Sequence, residues 1–547
     1  MIFKRKKKEI ERLKASFGKE KDDAFKFKLI SKYFKNKDNS NSFHVLSDKT
    51  CNDLDFEELF MFVDRTSSKV GQQYLYQTLR CMPSDSKATD LNESLIKNLS
   101  EDVDFRVKTQ MLLEKLKKED VYYLPSIFQE EHLEPPKWFF AIRLLSFTSL
   151  LSILLLPFRP ELFLLLIPVF IVNLGIHYWN KRNLYQYVGS IPQLLRLNSI
   201  AVQLHKEDRF KEINPDLNAA IQVIDQVRSR MSFFQLEEKI QGDFEVAFWA
   251  VLEILKTTFL LEPLLLFGVL KRLNTKRKEI EEVFSFVGQI DVLISIASIR
   301  HGLDSYCIPV INDNEVEISS TDVYHPLIDG CVTNSIAVKD KSVLLTGSNM
   351  SGKTSFIRTM GLNLITGLTL NTCFAKSMSM PRARIYSAIR ISDDLMNDKS
   401  YYFEEVLTIK EMIDHSESLT PNLFLLDEIF KGTNTVERIS AGKAVLSSLS
   451  KNKNIVLVST HDIELTDMLG DEYELYHFSE IVTDSQIDFD YKLKEGRLKN
   501  RNAIRILQIN NYPDEVINEA IELSNQLDEI AESNKVRQSL RLASEIV

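Results

Sequence analysis

The stretch LLTGSNMSGKTSF, residues 344–356, decides the fold of the chain. Residues 347–354 fit the pattern G-x-x-x-x-G-K-[ST]. A short apolar run typical of a buried strand precedes them, and a helical pattern follows over residues 355–366. In such a strand–loop–helix unit, the N–H groups of the loop and the N-terminus of the helix point at phosphate oxygens. The alternative is a glycine-containing turn with a chance lysine, and the strand and helix on either side count against it.

Each residue type in this loop has an expected role in holding a nucleotide. Lys353 is expected to reach the β- and γ-phosphates of ATP, and Thr354 to hold Mg²⁺ through its hydroxyl. The two glycines let the backbone bend around the phosphates. The other predicted nucleotide-binding residues are Gly347, Ser348, Asn349, Met350, Ser351, Gly352 and Ser355.

Two further strand patterns end in polar residues downstream of the loop. Residues 422–428 read NLFLLDE, an apolar run that ends in Asp427 and Glu428. Asp427 suits Mg²⁺ because a hard cation prefers oxygen ligands, and Glu428 would orient or deprotonate an attacking water. Residues 454–460 form the second run, which is followed by His461, placed to sense a γ-phosphate. Glu428 and His461 are therefore the candidate catalytic residues.

Several segments together resemble the ATPase domain of the MutS family, which has an ABC-type fold. They are TGSNMSGKTSFIR (346–358), SDDLMNDKSYYFEEV (392–406), LFLLDEIFKGTNT (423–435) and VSTHDIELT (458–466). VYHPLI (323–328) is similar to the segment that opens the family domain, and NYPDEVINEAIEL (511–523) is similar to its closing helix.

The resemblance is good over residues 285–530 and weaker over residues 64–85, which are similar to the start of the family's helical core. It implies a switch that depends on ATP and Mg²⁺, in which ATP closes a homodimer and hydrolysis opens it. In the family, a segment with the pattern S-T-F reaches across the dimer to the neighbour's nucleotide. Ser400 and Glu405 hold the matching positions here, with Tyr401 where the family has a small threonine. A serine that caps a helix is a second reading of Ser400.

Composition limits the classes of protein that fit. A chain of 547 residues is expected to form roughly two to four domains. Its net charge of −9 means that the chain lacks the overall positive charge typical of nucleic-acid-binding proteins. The five cysteines are scattered, which favours reduced thiols in a cytosolic setting over zinc sites or disulfides. The N-terminal pattern MIFKRKKKEIERLK is not that of a cleavable signal peptide.

Residues 138–179 carry two apolar runs that predict a transmembrane helical hairpin. Each run has about 18–21 residues, enough to cross roughly 30 Å of hydrocarbon. The sequence PFRPE at residues 157–161 predicts a tight reversal between them, and Trp138 and Trp179 are expected anchors at one face. The alternative is a buried helical hairpin of a soluble core.

Basic residues flank both ends of the predicted hairpin, at Lys137, Lys181 and Arg182. The positive-inside rule then places both ends in the cytoplasm. We therefore expect a protein of the inner (cytoplasmic) membrane whose ATPase domain faces the cytoplasm.

A third apolar stretch, residues 244–270, is interrupted by charged residues at intervals that fit an amphipathic helix. It predicts a core or interfacial helix, and a further membrane span is the alternative. A basic cluster at residues 4–8 predicts contact with anionic lipid or nucleic acid, of which the hairpin favours lipid, and a solvated helix end is the alternative.

The predicted fold is an α/β P-loop ATPase domain of the ABC type, preceded by an α-helical core or lever region that contains the hairpin. The predicted domains are a basic N-terminal helical segment (1–45), two lever halves (46–136 and 183–315), the hairpin (137–182) and the ATPase domain with C-terminal dimerisation helices (316–547). The 63 residues before the core-like match are too few for the family's mismatch-reading and connector domains.

Two functions stay open at this point. By resemblance, the chain is a dimeric ATP-driven switch linked to mismatched-DNA binding and DNA mismatch repair. The alternative is a membrane-tethered ABC-type ATPase that acts on a membrane or protein partner. Any DNA binding is expected to be indifferent to mismatches.

Overall fold

The computed structural model describes residues 2–85, 89–130, 137–226, 228, 231, 246–313, 315–348, 350–390, 401–482, 487–498, 503–510 and 512–526. The chain divides into two compact units. A helical unit comprises Met1–Leu46, Phe56–Tyr306 and Ile365–Thr372, and an α/β unit comprises Ser47–Asp55, Cys307–Leu364 and Cys373–Val547. An α/β domain that follows a helical region is therefore confirmed.

The helices are numbered along the chain. They are α1 (Ile2–Ser16), α2 (Phe27–Ile30), α3 (Lys32–Lys35), α4 (Asp48–Asp53), α5 (Phe56–Val63), α6 (Lys69–Arg80), α7 (Thr89–Glu101), α8 (Val103–Leu113), α9 (Leu124–Gln129), α10 (Phe139–Leu155), α11 (Leu162–His205), α12 (Asp208–Lys211), α13 (residues 217–226), α14 (Val246–Phe259), α15 (Leu261–Leu273), α16 (Arg277–Gly302), α17 (Lys353–Leu370), α18 (Tyr401–Ser416), α19 (Thr435–Leu449), α20 (Glu464–Met468), α21 (Ala503–Ile509) and α22 (residues 514–526). Short 3₁₀ helices cover Glu114–Leu116, Glu119–Tyr123 and Asn274–Lys276.

The strands are short and lie mostly in the α/β unit. They are β1 (His44–Val45), β2 (Cys81–Met82), β3 (Val310–Asn312), β4 (Glu317–Val323), β5 (Asn334–Lys339), β6 (Ser342–Thr346), β7 (Ser377–Pro381), β8 (Arg384–Ala388), β9 (Asn422–Asp427), β10 (Asn454–Thr460), β11 (Tyr473–His477), β12 (Glu480–Val482), β13 (Ile487–Phe489) and β14 (Lys494–Glu495).

Helix α16 forms the centre of the helical unit and is buried along most of its length. It crosses α6 closely, because a Cβ atom added at Gly71 would lie 2.2 Å from Asp291 Oδ2. The buried Asp291 carboxylate accepts hydrogen bonds from the backbone N–H groups of Ser67 and Ser68 and from the Ser68 hydroxyl. Asp291 thereby satisfies N–H groups at the start of α6, which otherwise have no partner inside the helix.

The two predicted apolar runs form α10 and the first part of α11. Among the described residues, two helical stretches are long and apolar enough to cross a membrane by length and composition alone. The apolar window of the first, Leu162–Arg182, is only 11% buried. The second, Leu261–Gly302, runs from α15 into α16, and its apolar window is 83% buried. Phe139–Leu155 is apolar but shorter. Large side chains on α10 and α11 point outward, including Phe140, Phe147, Leu164 and Ile171.

The α/β unit is built on a six-stranded sheet with the order β14-β11-β6-β10-β9-β8. All neighbouring strands in it pair in parallel except β14, which pairs antiparallel to β11. Buried side chains of β6, β9 and β10 form one core cluster with α19 and α18. Because parallel strands end at the same edge of a sheet, Thr346, Asp427 and Thr460 meet there. A second, four-stranded sheet has the order β3-β7-β4-β5.

The segment Ser47–Asp55, which contains α4, belongs to the α/β unit although it precedes α5 in the chain. Asp53 is fully buried and accepts hydrogen bonds from the Ser387 hydroxyl and from the N–H groups of Ile389 and Arg390. Asp55 pairs with Arg390 at 2.6 Å. The sequence pattern assigns this segment to the helical region, and nothing in the pattern indicates that it packs with the strands.

Candidate functional site

The loop between β6 and α17 turns at two glycines. Gly347 has a φ of +148° and Gly352 has a φ of +103°, in the region that side-chain-bearing residues rarely adopt. A Cβ atom at Gly347 would lie 2.7 Å from the Phe478 carbonyl oxygen, so no larger residue fits there without movement. Ser351 closes the loop by donating from its hydroxyl to the Ser348 carbonyl at 2.8 Å. The pattern therefore folds into a tight loop.

Lys353 is the first residue of α17 and is only 3% exposed. Its ammonium group donates to the carbonyl oxygens of Gly347 and Ser348, each at 2.8 Å. Burial lowers the pKa of Lys353, although the nearby carboxylates of Glu428 and Asp427 oppose that shift. The cation is thus held directly over the loop by two neutral acceptors, which the oxygens of a phosphate can replace.

Thr354 and Asp427 lie together at the end of the sheet. The Thr354 hydroxyl donates to Asp427 Oδ2 at 2.8 Å, and the Ser459 hydroxyl contacts Asp427 Oδ1. One carboxylate and one hydroxyl at this separation fit the oxygen ligands that Mg²⁺ takes in nucleotide sites, where waters and phosphates complete the coordination. Within the described residues, no group of three or more His, Cys, Asp or Glu side chains could hold a metal by itself.

Glu428 follows β9 in a left-handed conformation with a φ of +50°. Its N–H donates to the Ser459 carbonyl at 2.9 Å, which ties it to the neighbouring strand. Its carboxylate lies between His461 Nε2 and Lys431 Nζ, the latter at 2.7 Å. Burial raises the pKa of Glu428, but the hydrogen bonds from His461 and Lys431 outweigh it and lower the pKa to about 2. The carboxylate is therefore ionised at neutral pH.

A cavity of about 540 Å³ opens beside the loop and is large enough for a small-molecule ligand. Its walls combine aromatic rings with residues of the loop and of the VYHPLI segment. They include Tyr324, His325, Met350, Ser355, Phe478 and Tyr491. The cavity therefore has Lys353, Thr354 and several aromatic rings in one wall lining.

Comparison with known proteins agrees with this geometry. Residues 343–528 match the family model for MutS domain V. These residues form a domain of the MutS family. Similar proteins named DNA mismatch repair protein MutS come from Petrotoga mobilis (29% identity over 286 residues, 50% of this chain and 34% of the relative) and Oceanobacillus iheyensis (29% over 273 residues, 47% and 30%). A third, from Aquifex pyrophilus, is 27% identical over 266 residues, 46% of this chain and 30% of the relative.

The chain spans about a third of the length of the MutS proteins that it matches. The matched domain V contains all the strand-end residues described above. Lys353, Thr354, Asp427, Glu428 and His461 lie together in it.

Of the two residues predicted to act across a dimer, Ser400 and Glu405, the structure describes only Glu405. Glu405 on α18 is fully buried and accepts a hydrogen bond from the Phe430 N–H at 2.6 Å. Burial raises the pKa of Glu405. Glu405 thereby holds the chain just after Glu428, where Phe430 has a φ of +60°. Ser400 and Asn349 lie outside the described residues, so the trans role of Ser400 and Glu405 stays a prediction.

Two contacts of MutS domain V were not anticipated from the sequence. Lys431 pairs with Glu428 from three residues downstream, a spacing that could have been noticed in LLDEIFK. Arg438 on α19 makes a two-pronged contact with Asp462, at 2.9 and 2.7 Å. Because Asp462 follows His461 directly, this ion pair anchors the chain at the position of the histidine. No local pattern signals a contact between a helix and a distant strand end.

Proposed function

We propose that this chain is an ATP-binding and ATP-hydrolysing switch of the MutS type. The observation that carries the proposal is the joint placement of Thr354 with Asp427, and of His461 with Glu428, at the edge of the sheet beside Lys353. Nucleotide binding needs the first pair and the lysine, and water attack needs the second pair. A structural protein has no need of these five side chains in register.

Nucleotide binding would move Lys353 from the carbonyls of Gly347 and Ser348 to the β- and γ-phosphates. Thr354 and Asp427 would hold Mg²⁺, which supplies neutralisation of the phosphate charge. The hydroxyl of Ser459 fixes the second oxygen of Asp427, so the carboxylate keeps its orientation. The aromatic rings that line the cavity, those of Tyr324, Phe478 and Tyr491, suit a planar base.

Glu428 would act by orienting water. A carboxylate whose pKa is about 2 is a weak base at neutral pH, because efficient proton transfer needs a pKa near the working pH. It is nevertheless a good hydrogen-bond acceptor, and His461 fixes one of its two oxygens. The other oxygen would hold the attacking water in line with the γ-phosphate after Lys431 moves away from it.

By the family resemblance, two copies of the chain would close around ATP and open after hydrolysis. The segment that contains Ser400 would then complete the neighbour's site, while Glu405 supports the chain after Glu428. The helical unit would carry the resulting motion to a partner.

The exposed apolar faces of α10 and α11 favour a membrane as the place where this switch works. The indole rings of Trp138 and Trp179 lie 5.2 Å apart, so the two helix ends meet at one level, as anchors at a membrane interface do. Lys137 and Lys181 lie beside them on the side predicted to be cytoplasmic. Inner-membrane localisation, with the ATPase domain in the cytoplasm, is part of the proposal.

DNA binding is the second candidate function. It is supported by the names of the similar proteins, which are DNA mismatch repair proteins. Those similarities cover about half of this chain and about a third of each relative, so the relatives' whole activity does not transfer.

The test of the leading function is ATP turnover by the detergent-purified full chain. Lys353→Ala should lose ATP binding, whereas Glu428→Gln should bind ATP with little change and lose roughly 10²–10⁴-fold in turnover. Glu428→Gln turnover at the parent rate would show that the catalytic carboxylate is elsewhere. Absence of ATP binding by the parent chain would reject the function altogether.

A further inference from the structure

Helices α14 and α15 meet at a single residue. Leu260 has φ +48° and ψ +38° between α14, which ends at Phe259, and α15, which begins at Leu261. A leucine in this left-handed conformation costs on the order of 1–3 kcal/mol, so the surrounding structure must fix it. Leu260 itself is fully buried. The chain therefore reverses at a defined, apolar point.

The reversal lies against the predicted hairpin. The last carbonyls of α14 accept hydrogen bonds from the hairpin's side chains: Thr258 O from Asn173 Nδ2 at 2.8 Å, and Phe259 O from the Ser146 hydroxyl at 2.7 Å. The C-terminal carbonyls of a helix normally depend on water or a cap for partners. Here α10 and α11 supply those partners.

Contacts with α10 and α11 give the directions in which α14 and α15 run. Thr258 lies at Asn173, whereas Glu253, earlier on α14, pairs with His177 at 3.2 Å. Helix α14 therefore runs antiparallel to α11. On α15, Phe267 packs against Phe139 at the base of the hairpin, with ring centres 5.2 Å apart. The segment enters beside the hairpin and returns to its base.

The depth of the turn follows from helix geometry. Asn173 lies six residues before Trp179, which corresponds to about 9 Å at 1.5 Å per residue. Helix α14 has 14 residues, or about 21 Å, too short to cross roughly 30 Å of hydrocarbon. The segment therefore fits a partial entry into the hydrocarbon layer from one side. It is too short to cross the layer, and its turn lies too deep for a helix that lies flat on the membrane surface.

The charged residues on either side of Leu260 point inward, whereas Lys271 and Arg272 at the far end of α15 are exposed. Lys256 is fully buried between Glu253 at 3.0 Å and Glu262 at 3.3 Å. Lys181 reaches Glu253 at 3.4 Å, and the Asn180 amide donates to Glu262 at 2.8 Å. Two lysines thus balance two glutamates, and a buried charge is tolerated only when it is paired in this way.

The outward face of α14 is apolar. Val251, Ile254 and Leu255 are each about half exposed, while the charged residues that interrupt the sequence lie on the inner side. This face continues the exposed apolar surface of α10 and α11. Acyl chains match such a face because they need no hydrogen bonds and no charges.

We propose that α14 and α15 form a re-entrant helical segment that dips into the lipid beside α10 and α11, with Leu260 at its innermost point. The proposal rests on the membrane placement of residues 138–179. It adds a second lipid-contacting element, which connects directly through α15 to α16, the central helix of the helical unit.

The experiment measures quenching of single fluorescent labels by lipids. Variants of the full chain, with the five native cysteines replaced by alanine, carry one new cysteine labelled with NBD: Ile254→Cys on α14, Ile171→Cys on α11, or Leu419→Cys in the α/β unit. The labelled proteins are placed in phosphatidylcholine–phosphatidylglycerol nanodiscs whose lipids carry nitroxide at carbon 5 or carbon 12. ATP turnover of each variant confirms that it is folded.

The expected result is quenching of the labels at residues 254 and 171 by the nitroxide-bearing lipids. The label at residue 419 should not be quenched by these lipids, and should be quenched only by a nitroxide compound dissolved in the water. Residue 254 should respond at least twofold more to the carbon-5 than to the carbon-12 label, since it lies nearer to the base than residue 171. If residue 254 behaves like residue 419 while residue 171 is quenched, the re-entrant segment is wrong and the hairpin stands. If residue 171 is not quenched, the membrane placement fails, and this inference fails with it.

Discussion

Lys431 Nζ lies 2.7 Å from Glu428 Oε2, while His461 contacts the other oxygen of the same carboxylate. The two partners have different positions in the chain: Lys431 lies three residues after Glu428 in the following turn, and His461 comes directly after β10. Both hold the carboxylate in its ionised form, which is why its pKa falls to about 2. If Lys431 moves away, Glu428 Oε2 can bind a water while Oε1 keeps its contact with His461. Freeing Oε1 would break the contact with the histidine.

The first prediction concerns Lys431. We expect Lys431→Met to raise basal ATP turnover, because the Oε2 atom of Glu428 becomes available to the attacking water. A partly exposed ion pair contributes about 0.2–1 kcal/mol, so the increase should be at most about fivefold. The measurement is steady-state phosphate release at saturating ATP, with Lys443→Met, which removes a lysine paired to Glu472 at 3.6 Å, as the matched control. A tenfold fall in turnover would instead assign Lys431 to stabilising the transition state.

The second prediction is a loss of stability in mild acid that depends on His325. Burial, followed by the positive charge of Arg358, lowers the pKa of His325 from 6.5 to about 4. Between those values the unfolded chain binds more protons than the folded chain. The free energy of unfolding is therefore unaffected by His325 above pH 6.5. As the pH falls toward 4, the preference of the folded chain for neutral His325 lowers this free energy by up to about 3 kcal/mol.

The measurement is the apparent melting temperature of the detergent-solubilised chain from pH 7.5 to pH 4. His325→Gln should flatten the decline over this range, whereas replacement of the partly exposed His415 by Gln should leave it unchanged. The contribution of Glu428, whose pKa is lowered to about 2 from 4.5, is retained over most of this range and is lost in stronger acid. Equal slopes for parent and His325→Gln would rule out this assignment.

The strand-end residues could be predicted from the sequence because their positions follow from local pattern. Asp427 ends and His461 follows an apolar run typical of a buried strand, and the loop pattern indicates Lys353 and Thr354. Parallel strands then bring these residues to one edge without further information.

The remaining contacts depend on backbone turns that leave no sequence signal. Glu428 and Phe430 both adopt positive φ, although neither is glycine or asparagine, and this directs Glu428 between Lys431 and His461. Leu260 turns the chain between α14 and α15 without the glycine that usually marks such a reversal. In each case, tertiary contacts impose a conformation that the residue alone disfavours.

The third prediction is integral membrane association through α10 and α11. The protein should stay with the membrane fraction after washing with carbonate or high salt, which removes proteins held by charge alone. Because Ser146 and Asn173 also cap α14, deletion of residues 138–179 disturbs more than the anchor.

A substitution variant therefore serves as the sharper test. Phe147→Lys, Leu164→Lys and Ile171→Lys together place charges on the exposed faces of both helices and leave the capping side chains in place. We expect this variant to move to the soluble or aggregated fraction while retaining ATP binding. Recovery of the parent chain from the soluble fraction without detergent would contradict the membrane proposal.

The last prediction is that any DNA binding ignores mismatches. A mismatch is read by side chains that probe a softened duplex, whereas phosphate contacts carry no base information and weaken with salt. The family model matched by this chain is that of MutS domain V, over residues 343–528, which contain the proposed nucleotide site. The exposed lysines of α1, at positions 4 and 6–8, offer phosphate contact only. Homoduplex and single-mismatch duplex should therefore bind within about twofold of each other.

The measurement is fluorescence anisotropy with matched duplexes from 50 to 200 mM salt, using the detergent-solubilised chain with and without ATP. Changing Lys4, Lys6 and Lys8 to glutamate should remove the salt-dependent binding equally for both duplexes, because the interaction is with the phosphates. ATP turnover of that variant provides the control for folding. A preference above about tenfold for the mismatched duplex, roughly 1.4 kcal/mol, would establish mismatch recognition in this chain and support the repair function.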